Sequence, residues 1–440
     1  MDYLIKNGTV VNEGKMTQRD VAISNGIIVE EVKPESAVVV DASGCIVMPG
    51  VIDTHVHFRE PGLTNKADMG TESRAAIAGG VTSIIDMPNT LPQTTTLEYL
   101  EEKERIAEEK CLVNYGFMLG ATNENIEQLT EIDPARYAAI KLFLGSSTGN
   151  MLVNNEEKLN LLFSKARKLI VAHCEEESII EANLEKYRSH YAGSARETAA
   201  LHPKIRSSEA CFASTKKAVA RAKRYGTRFH VAHISTAAEL DLLTNQPLEA
   251  KLITAEVTPN HLRFNDTHYA KYGNLIKCNP SIKSSTISKA LWNALCNGYI
   301  DTIATDHAPH LLEDKQKPYF SAPSGIPSIQ HSLLMMMEMI SGNNEDFDQW
   351  MPMLVYKMCH NPATLFGIKN RGFIRTGYAA DLVVVKRHAQ TIVTPESLYY
   401  KCGWSPLTGQ NFQNRIIETF INGEPFAEGR KKAQPLQFEK

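Results

Sequence analysis

Apolar and polar residues follow one pattern near the two ends of the chain and a different pattern between them. In the first 50 residues, short apolar runs alternate with turns, as in Tyr3–Lys6 followed by Asn7-Gly8 and Val21–Ser24 followed by Asn25-Gly26. Asn-Gly pairs are favoured in two-residue hairpin loops because both residues tolerate positive φ. The pattern therefore predicts short strands joined by hairpins.

From about residue 51 the pattern changes to strands that alternate with helices. The eight candidate strands are Ile46–His57, Val81–Met87, Leu112–Met118, Ala139–Leu144, Leu169–His173, Arg228–His233, Leu252–Val257 and Asp301–Asp306. The helical stretches between them are Lys66–Ala78, Thr96–Glu108, Asn123–Glu131, Glu156–Arg167, Ser208–Tyr225, Ala237–Leu243 and Ser285–Asn297. This alternation predicts an α/β fold with a parallel (β/α)8 barrel of the TIM type. An open, doubly wound sheet is the alternative, which the lack of a GxGxxG motif after the first strand disfavours.

The chain after the eighth strand predicts a loop, further helices and a return to strands. Residues 307–330 form a polar loop rich in Pro and Ser, and the Met-rich stretch Leu333–Ile340 is interpreted as core rather than as a cofactor-contacting face. Strands return at Gly377–Val385 and Ile416–Ile421. Both termini are therefore predicted to form one small β-sandwich, from residues 1–50 and 366–440, around a catalytic barrel at residues 51–365.

Composition and charge are those of an ordinary soluble protein. The 440 residues are 43% hydrophobic and 22% charged, and the formal net charge of −3 gives no positive field for nucleic acid or an anionic membrane. The eight cysteines are irregularly spaced without a CxxC pair, which is typical of reduced cytosolic proteins. We see no signal peptide and no apolar run near the roughly 20 residues of a membrane helix, so we expect a cytoplasmic protein.

Residues able to carry chemistry recur at the carboxyl ends of the candidate strands, where barrel enzymes have their active sites. His55 and His57 end the first strand, and both leave it on one face because side chains alternate along a strand. Later strand ends contribute Lys141, His173, His233 and Asp306. Four histidines, one lysine and one aspartate are thus predicted to converge on one rim.

Each of these residues also has a purely structural interpretation. His173 or His233 alone would more often be a packing histidine, Lys141 could lay its stem along apolar surface, and Asp306 could cap the following segment. Their shared location favours the functional interpretation, because structural residues need not all fall at strand ends. His307 is placed behind the site, and the remaining isolated histidines are assigned to structure: His190, His202, His230, His268, His331, His360 and His388.

Four imidazoles and a carboxylate are donors that suit Zn²⁺. Two metal ions about 3.5–4 Å apart need a bridging anion. The ammonium of Lys141 has no lone pair, whereas a lysine carbamylated by CO₂ becomes a carboxylate that can bridge. Burial lowers the pKa of a lysine and favours the neutral amine that carbamylation needs. Carbamylation of Lys141 is therefore a hypothesis that depends on its location.

Four blocks of sequence resemble the cyclic amidohydrolases and, among them, the dihydroorotases. The blocks are His55-Val56-His57-Phe58-Arg59-Glu60-Pro61-Gly62, residues 73–82 (SRAAIAGGVT), Asp86-Met87-Pro88-Asn89-Thr90 and Thr305-Asp306-His307-Ala308-Pro309-His310. The resemblance covers nearly the whole chain in order. It implies a metal-dependent hydrolase barrel with a small β-sandwich, and the reversible cyclisation of N-carbamoyl-L-aspartate to L-dihydroorotate and water in pyrimidine biosynthesis.

The resemblance also implies roles for individual residues. Two zinc ions would be held by the donors His55, His57, Lys141, His173, His233 and Asp306, with carbamylated Lys141 as the bridge. Asp306 would in addition be catalytic, since it would carry a proton from the attacking water to the leaving nitrogen. The substrate would be bound by Arg59, Asn89, Asn279 and His310, beneath the loop around Pro323-Ser324-Gly325.

The chain departs from the family pattern in two places. Asn260 stands where the family often has a second histidine, and Ser328 and Gln330 stand where it usually has Gly and Glu. These departures leave the role of position 260 and the details of the loop open.

Two kinds of alternative function stay open. One is another cyclic amidohydrolase, such as an allantoinase, hydantoinase or dihydropyrimidinase. Arg59 favours a substrate with a carboxylate, because a guanidinium binds carboxylates bidentately, unless it only forms a surface ion pair with Glu60. The other is a catalytically dead scaffold, which would be expected to lack ligands that are all present here. The expected partner is a small-molecule substrate, with no nucleic acid and no membrane, and a homodimer is a candidate assembly.

Overall fold

The N-terminal segment forms short strands that divide between two sheets. The computed structural model describes residues 1–145, 150–188, 195–342, 347–426 and 433–439. Its first strands are β1 (Tyr3–Lys6), β2 (Thr9–Asn12), β3 (Lys15–Gln18), β4 (Val21–Ser24), β5 (Ile27–Val29), β6 (Val38–Asp41) and β7 (Cys45–Pro49). Asn25-Gly26 joins β4 to the antiparallel β5, as predicted. The hairpin predicted at Asn7-Gly8 is wrong, because β1 and β2 belong to different sheets.

Parallel strands in the middle of the chain form a barrel. They are β8 (Val51–Val56), β9 (Val81–Asp86), β10 (Asn114–Phe117) with β11 (Leu119–Gly120), β12 (Ile140–Phe143), β13 (Ile170–His173), β14 (Phe229–Val231), β15 (Ile253–Val257) and β16 (Thr302–Ile303). The third barrel position is shared, since β10 pairs with β9 and β11 pairs with β12. The barrel closes where the His57 amide donates to the His307 carbonyl at 2.8 Å. The predicted α/β barrel is confirmed.

The predicted first strand, Ile46–His57, is in fact two strands. β7 belongs to the sheets of the termini and β8 to the barrel, and Gly50 lies between them. A Cβ at Gly50 would lie 2.0 Å from Oγ1 of Thr82, so the chain can pass this point only without a side chain. The domain boundaries after residues 50 and 365 stay predictions.

Helices pack around the barrel. Those of the described residues are α1 (Met69–Ala78), α2 (Leu97–Lys110), α3 (Ile126–Glu131), α4 (Glu156–Lys165), α5 (Glu177–Arg188), α6 (Ala195–Ala199), α7 (His202–Ile205), α8 (Ser208–Tyr225), α9 (Pro259–Arg263), α10 (Tyr269–Tyr272), α11 (Ser285–Cys296), α12 (Leu312–Lys315), α13 (Ser332–Gly342), α14 (Phe347–Val355) and α15 (Asn361–Phe366). The stretch predicted as a helix at Ala237–Leu243 contains only a short 3₁₀ helix, Ala238–Leu242. This helix ends at Leu243, which is extended. The Met-rich stretch lies in α13, with Met335, Met336 and Met337 buried and Met339 partly buried against the core, which confirms the core interpretation.

Strands from the two ends of the chain form a β-sandwich beside the barrel. The C-terminal strands are β17 (Leu382–Ile392), β18 (Asn411–Ile421) and β19 (Glu424–Pro425). The sheets have the orders β5-β4-β1-β6 and β19-β18-β17-β7-β2-β3. Leu382 and Val384 pack between the two sheets, whereas the alternate residues Val383 and Val385 pack against the barrel core. The predicted sandwich from both termini is therefore confirmed, although β17 and β18 extend beyond the predicted bounds.

Two expectations drawn from composition can be compared with the structure. All eight cysteines are free thiols, as the absence of a disulfide pattern predicts. Among the described residues, no helix is long and apolar enough to cross a membrane. His190 lies outside the described residues.

Candidate metal centre

The carboxyl ends of the barrel strands place the six predicted donors around one cavity. His55 and His57 come from the end of β8, Lys141 from β12 and His173 from β13. His233 and Asp306 follow β14 and β16. All six line a cavity of about 570 Å³. The fold therefore brings together residues that are up to 251 positions apart in the sequence, as counted from His55 to Asp306.

The nitrogen and oxygen atoms of these side chains lie within a few ångströms of one another. Nε2 of His57 is 3.0 Å and Nε2 of His55 is 3.3 Å from Oδ1 of Asp306. Ligand atoms of His55, His233 and Asp306 all lie within 4.8 Å of each other. Nδ1 of His173 is 3.0 Å from Nε2 of His233. The four histidines and Asp306 thus form one connected group of candidate metal donors.

Three of the imidazoles are oriented by a partner on the nitrogen that points away from the group. Nδ1 of His55 lies 2.7 Å from Oε1 of Glu256, and Nδ1 of His57 lies 2.8 Å from Oδ1 of Asn89. Nε2 of His173 lies 2.8 Å from Oε2 of Glu175. A metal-binding histidine usually donates its other N–H to such an acceptor, which fixes the tautomer. Each ring is therefore held with its remaining nitrogen available to a metal.

Backbone conformation contributes to the position of two donors and of Arg59. The φ angles of Arg59, His233 and Asp306 are 65°, 36° and 48°, in the left-handed region that side-chain-bearing residues rarely adopt. Such strain costs on the order of 1–3 kcal/mol per residue and concentrates at functional sites. Its occurrence at three strand ends facing one cavity supports a functional arrangement of this rim.

The protonation states of the group suit metal binding. Burial lowers the pKa of His57 to about 4 and also lowers the pKa of His173 and of His233. Burial alone would raise the pKa of Asp306, but the charge of His55 and the hydrogen bond with His57 outweigh it and hold this pKa below its ordinary value. Neutral imidazoles and an ionised carboxylate are the forms that bind metals.

Lys141 is the one donor candidate whose side chain lacks a hydrogen-bond partner among the described residues. Its Nζ is buried within the cavity wall, 5.1 Å from the ring centroid of Phe143. Burial lowers the pKa of Lys141 to about 8, although Glu256 and Asp306 act in the opposite direction. A buried amine without a partner calls for an explanation. A carbamate beside two metal ions would supply one, so the residues present fit the implied metal group.

The substrate-binding residues predicted from the resemblance surround the same cavity. Arg59, Asn89, Asn279 and His310 all contribute to its lining. Arg59 is buried, and its Nε donates to the Pro309 carbonyl at 3.2 Å, while its Nη2 lies 3.1 Å from Nε2 of His310. Burial lowers the pKa of Arg59 to about 10, which leaves the guanidinium charged at neutral pH.

The alternative role of Arg59, a surface ion pair with Glu60, is wrong. The Glu60 carboxylate pairs instead with Lys110 and accepts a hydrogen bond from the Met69 amide. No ion pair between Arg59 and a carboxylate is found among the described residues. Arg59 is thus a buried cation that faces the cavity without an acidic partner.

Some residues of the site were missed or left open by the sequence. Glu256 and Glu175 were not singled out, although an acidic residue inside the apolar strand β15 is itself a signal. His307 lies 2.8 Å from Glu72 and accepts from the Ser328 amide, so it fastens the start of the loop. Asn260 lies in α9 and is not among the described residues that line the cavity.

Comparison with known proteins agrees with this geometry. The model of the amidohydrolase family matches residues 46–426. A dihydroorotase of Methanosphaera stadtmanae is 32% identical over 411 residues, which is 92% of this chain and 92% of that protein. An allantoinase of Salmonella paratyphi B is 31% identical over 435 residues, which is 96% of this chain and 94% of that protein. The solved structure of L-hydantoinase (dihydropyrimidinase) from Arthrobacter aurescens superimposes with a TM-score of 0.89 at 26% identity, covering 100% of this chain and 97% of that one.

Proposed function

Because the chain belongs to the amidohydrolase family, we propose that it is a dihydroorotase, which closes N-carbamoyl-L-aspartate to L-dihydroorotate and water and reverses this reaction. We further propose two zinc ions per chain, held by the six donors around the cavity and bridged by carbamylated Lys141. The family supports a metal-dependent amide hydrolase. Percentage identity does not select the substrate, since a dihydroorotase and an allantoinase are 32% and 31% identical to the chain.

The observation that carries the choice of substrate is the buried Arg59. A buried guanidinium without a carboxylate partner is costly unless an anion completes it. Lys66 is half-buried on the same cavity wall, and its charge also acts on Arg59. Dihydroorotate carries a carboxylate beside its ring, whereas hydantoin, dihydrouracil and allantoin do not. The positive end of the cavity therefore favours the carboxylated ring.

The residues of the site can be assigned to steps of ring opening. When bound by these donors, metal ions would lower the pKa of a water molecule and would polarise the carbonyl that it attacks. Asp306, ionised and 3.0 Å from His57, is placed to accept the proton of the attacking water and to deliver it to the ring nitrogen. Arg59 holds the substrate carboxylate with the N–H groups that Pro309 and His310 leave available. Asn89 keeps its amide N–H groups for the ring, because its oxygen is bound to His57.

An ultraviolet assay of the purified protein tests this proposal. The initial rates with dihydroorotate, allantoin, hydantoin and dihydrouracil are compared in one buffer, with zinc determined in the same sample. We expect a kcat/KM for dihydroorotate at least about 100-fold above the others, because a buried hydrogen-bonded charge pair is worth about 2–5 kcal/mol. A preference for an uncharged ring would contradict the proposal.

The alternative within the family is an allantoinase, which the 31% identity over nearly the whole chain keeps in consideration. The same assay decides between the two activities, because allantoin is among its substrates. A catalytically dead scaffold is tested by the metal content: about two zinc ions per chain support the enzyme, and none supports the scaffold. Cytoplasmic location and a homodimer stay predictions.

A further inference from the structure

A segment of the loop after β16 forms one wall of the substrate cavity. Pro323, Ser324 and Gly325 line the same cavity as the donor group. The Ser324 carbonyl lies 3.0 Å from Nε2 of His310, and that nitrogen is 3.1 Å from Arg59. The position of this wall therefore affects the same groups that we propose to bind the substrate carboxylate.

The side chain of Lys315 binds the main-chain carbonyls of this wall. Its Nζ donates to the carbonyls of Pro323 at 3.0 Å, Gly325 at 2.8 Å and Lys277 at 3.1 Å. An ammonium has three N–H donors, and here each has a carbonyl acceptor. The three acceptors come from two chain segments, so Lys315 ties residues 323–325 to the segment that leads to Asn279.

Lys277 binds main-chain carbonyls of the residues that precede Pro323. Its Nζ donates to the carbonyls of Tyr319 at 2.8 Å and Ala322 at 2.6 Å. The Lys277 carbonyl accepts both from Lys315 and from the Gly325 amide, the latter at 2.8 Å. The two lysines thus bind residues 319–325, which we call the anchored loop.

Both ammonium groups are buried, at 8% exposure for Lys277 and 2% for Lys315, and among the described residues neither has an ion pair with a carboxylate. Burial lowers the pKa of Lys277 to about 8 and the pKa of Lys315 to about 7. Two buried cations without anions do not favour stability, since apolar side chains of the same length would avoid their desolvation. What the two lysines provide is five hydrogen bonds to main-chain carbonyls, which fix the position of the anchored loop.

We propose that Lys315 and Lys277 are positioning residues, which hold the anchored loop over the substrate by binding its main-chain carbonyls. This inference requires the cavity to be the substrate site but does not depend on which cyclic amide is the substrate. The lysines touch neither the donors nor the reacting atoms. Their loss is therefore expected to weaken substrate binding more than chemistry.

The test compares Lys315→Met and Lys277→Met with Lys317→Met. Methionine keeps the length of the side chain but removes the donors. Lys317 belongs to the same loop, is exposed and pairs with Asp314, so it serves as the matched control. We measure KM, kcat, zinc content and the unfolding temperature, using whichever cyclic amide the wild-type protein turns over best. If dihydroorotate is not the substrate, the wild-type protein will show this by its preference for another cyclic amide. The comparison of the lysine variants with the wild type then still tests the role of the lysines.

We expect Lys315→Met to raise KM about tenfold or more and Lys277→Met to raise it by a smaller factor. In both, kcat should stay within about threefold, with zinc content unchanged, and Lys317→Met should match the wild type. A KM within twofold of wild type in both lysine variants would overturn the proposal. So would a fall in kcat with zinc loss at constant KM, or a failure of both variants to fold, because either result would assign the lysines to general stability.

Discussion

The two halves of the cavity differ in how they stabilise buried charge. In the half that carries the donors, imidazoles face carboxylates, as His55 does with Glu256 and His173 with Glu175. In the half closed by the anchored loop, Arg59, Lys277 and Lys315 bind main-chain carbonyls instead. A wall with carboxylates and neutral imidazoles favours metal cations, whereas cations paired only with dipoles favour an anionic ligand. Under the proposed function, the metal ions would lie in the first half of the cavity and the substrate carboxylate in the second.

The largest effect is expected in the half that carries the donors, at Asp306. Asp306→Asn keeps the shape of the side chain but removes its proton acceptor. We expect kcat to fall by about 10³-fold, within the range for general acid–base groups, while the protein stays folded. Steady-state kinetics with circular dichroism and zinc analysis check this.

Asp314→Asn is the control for Asp306→Asn, because Asp314 lies on the loop and pairs with Lys317 outside the cavity. It should leave kcat unchanged. Wild-type turnover by Asp306→Asn would remove the proposed proton transfer and leave Asp306 only the role of a metal ligand.

Arg59→Met tests the half that binds the anion. We expect KM to rise about 30-fold or more, from the roughly 2 kcal/mol or more that a buried charge pair contributes, with zinc content unchanged. Arg74→Met is the matched control, because Arg74 is an exposed arginine on α1. A parallel loss of substrate binding and zinc would assign Arg59 to the structure of the rim.

Periodicity predicted the parts of the fold that depend on local sequence. The alternation of apolar strands and helical stretches was sufficient for the barrel, and the ends of its strands were sufficient to gather His55, His57, His173, His233 and Asp306. The local sequence pattern was insufficient where the chain passes from one sheet to another. Asn7-Gly8 looks like a hairpin, yet the strands on either side join different sheets.

The contacts that orient the site depend on tertiary structure and could not be predicted from local sequence. Glu256 is 201 residues from His55, and only barrel closure brings its carboxylate to that ring. Lys315 has the polar sequence neighbours of a surface lysine, and its burial follows from the path of the loop. The contact between the Asn89 oxygen and His57 was likewise not predicted, and the role of Asn89 in substrate binding stays a prediction.

Glu256→Gln tests whether the carboxylates of the donor half act through the histidines. Glutamine keeps a hydrogen-bond acceptor but loses the charge that supports His55. We expect zinc affinity to fall about tenfold, at the lower end of the range for such partners, with KM for the substrate nearly unchanged. Competition with a chelator measures it.

Glu239→Gln is the control for Glu256→Gln, because Glu239 is equally buried but bonds to Thr215 and Thr236. It should leave zinc affinity unchanged. Equal zinc loss in both variants would attribute the effect to a general weakening of the barrel.

The smallest expected effect is a dependence of KM on pH that arises in the anchored loop. Lys315 faces the charged or titratable groups of Lys277, Cys278, Arg59 and His310, and the ring of Trp404. Burial and the charge of Lys277 lower the pKa of Lys315 to about 7. The ammonium and one of its three donors are therefore lost as the pH rises above about 7, and Lys277 follows near its pKa of about 8.

We expect KM of the wild type to rise about threefold between about pH 7 and pH 9 through these two lysines, and Lys315→Met to lack most of this rise. The stability of the protein should rise over the same interval, while its affinity for the substrate falls. The unfolded lysine has a pKa near 10.4 and binds more protons than the folded one in this interval, so the lysine contributes increasing stability as the pH rises. A weaker affinity in a more stable protein cannot result from unfolding. If Lys315→Met keeps the wild-type pH profile of KM, the rise belongs to other groups, and the anchored loop does not respond to pH.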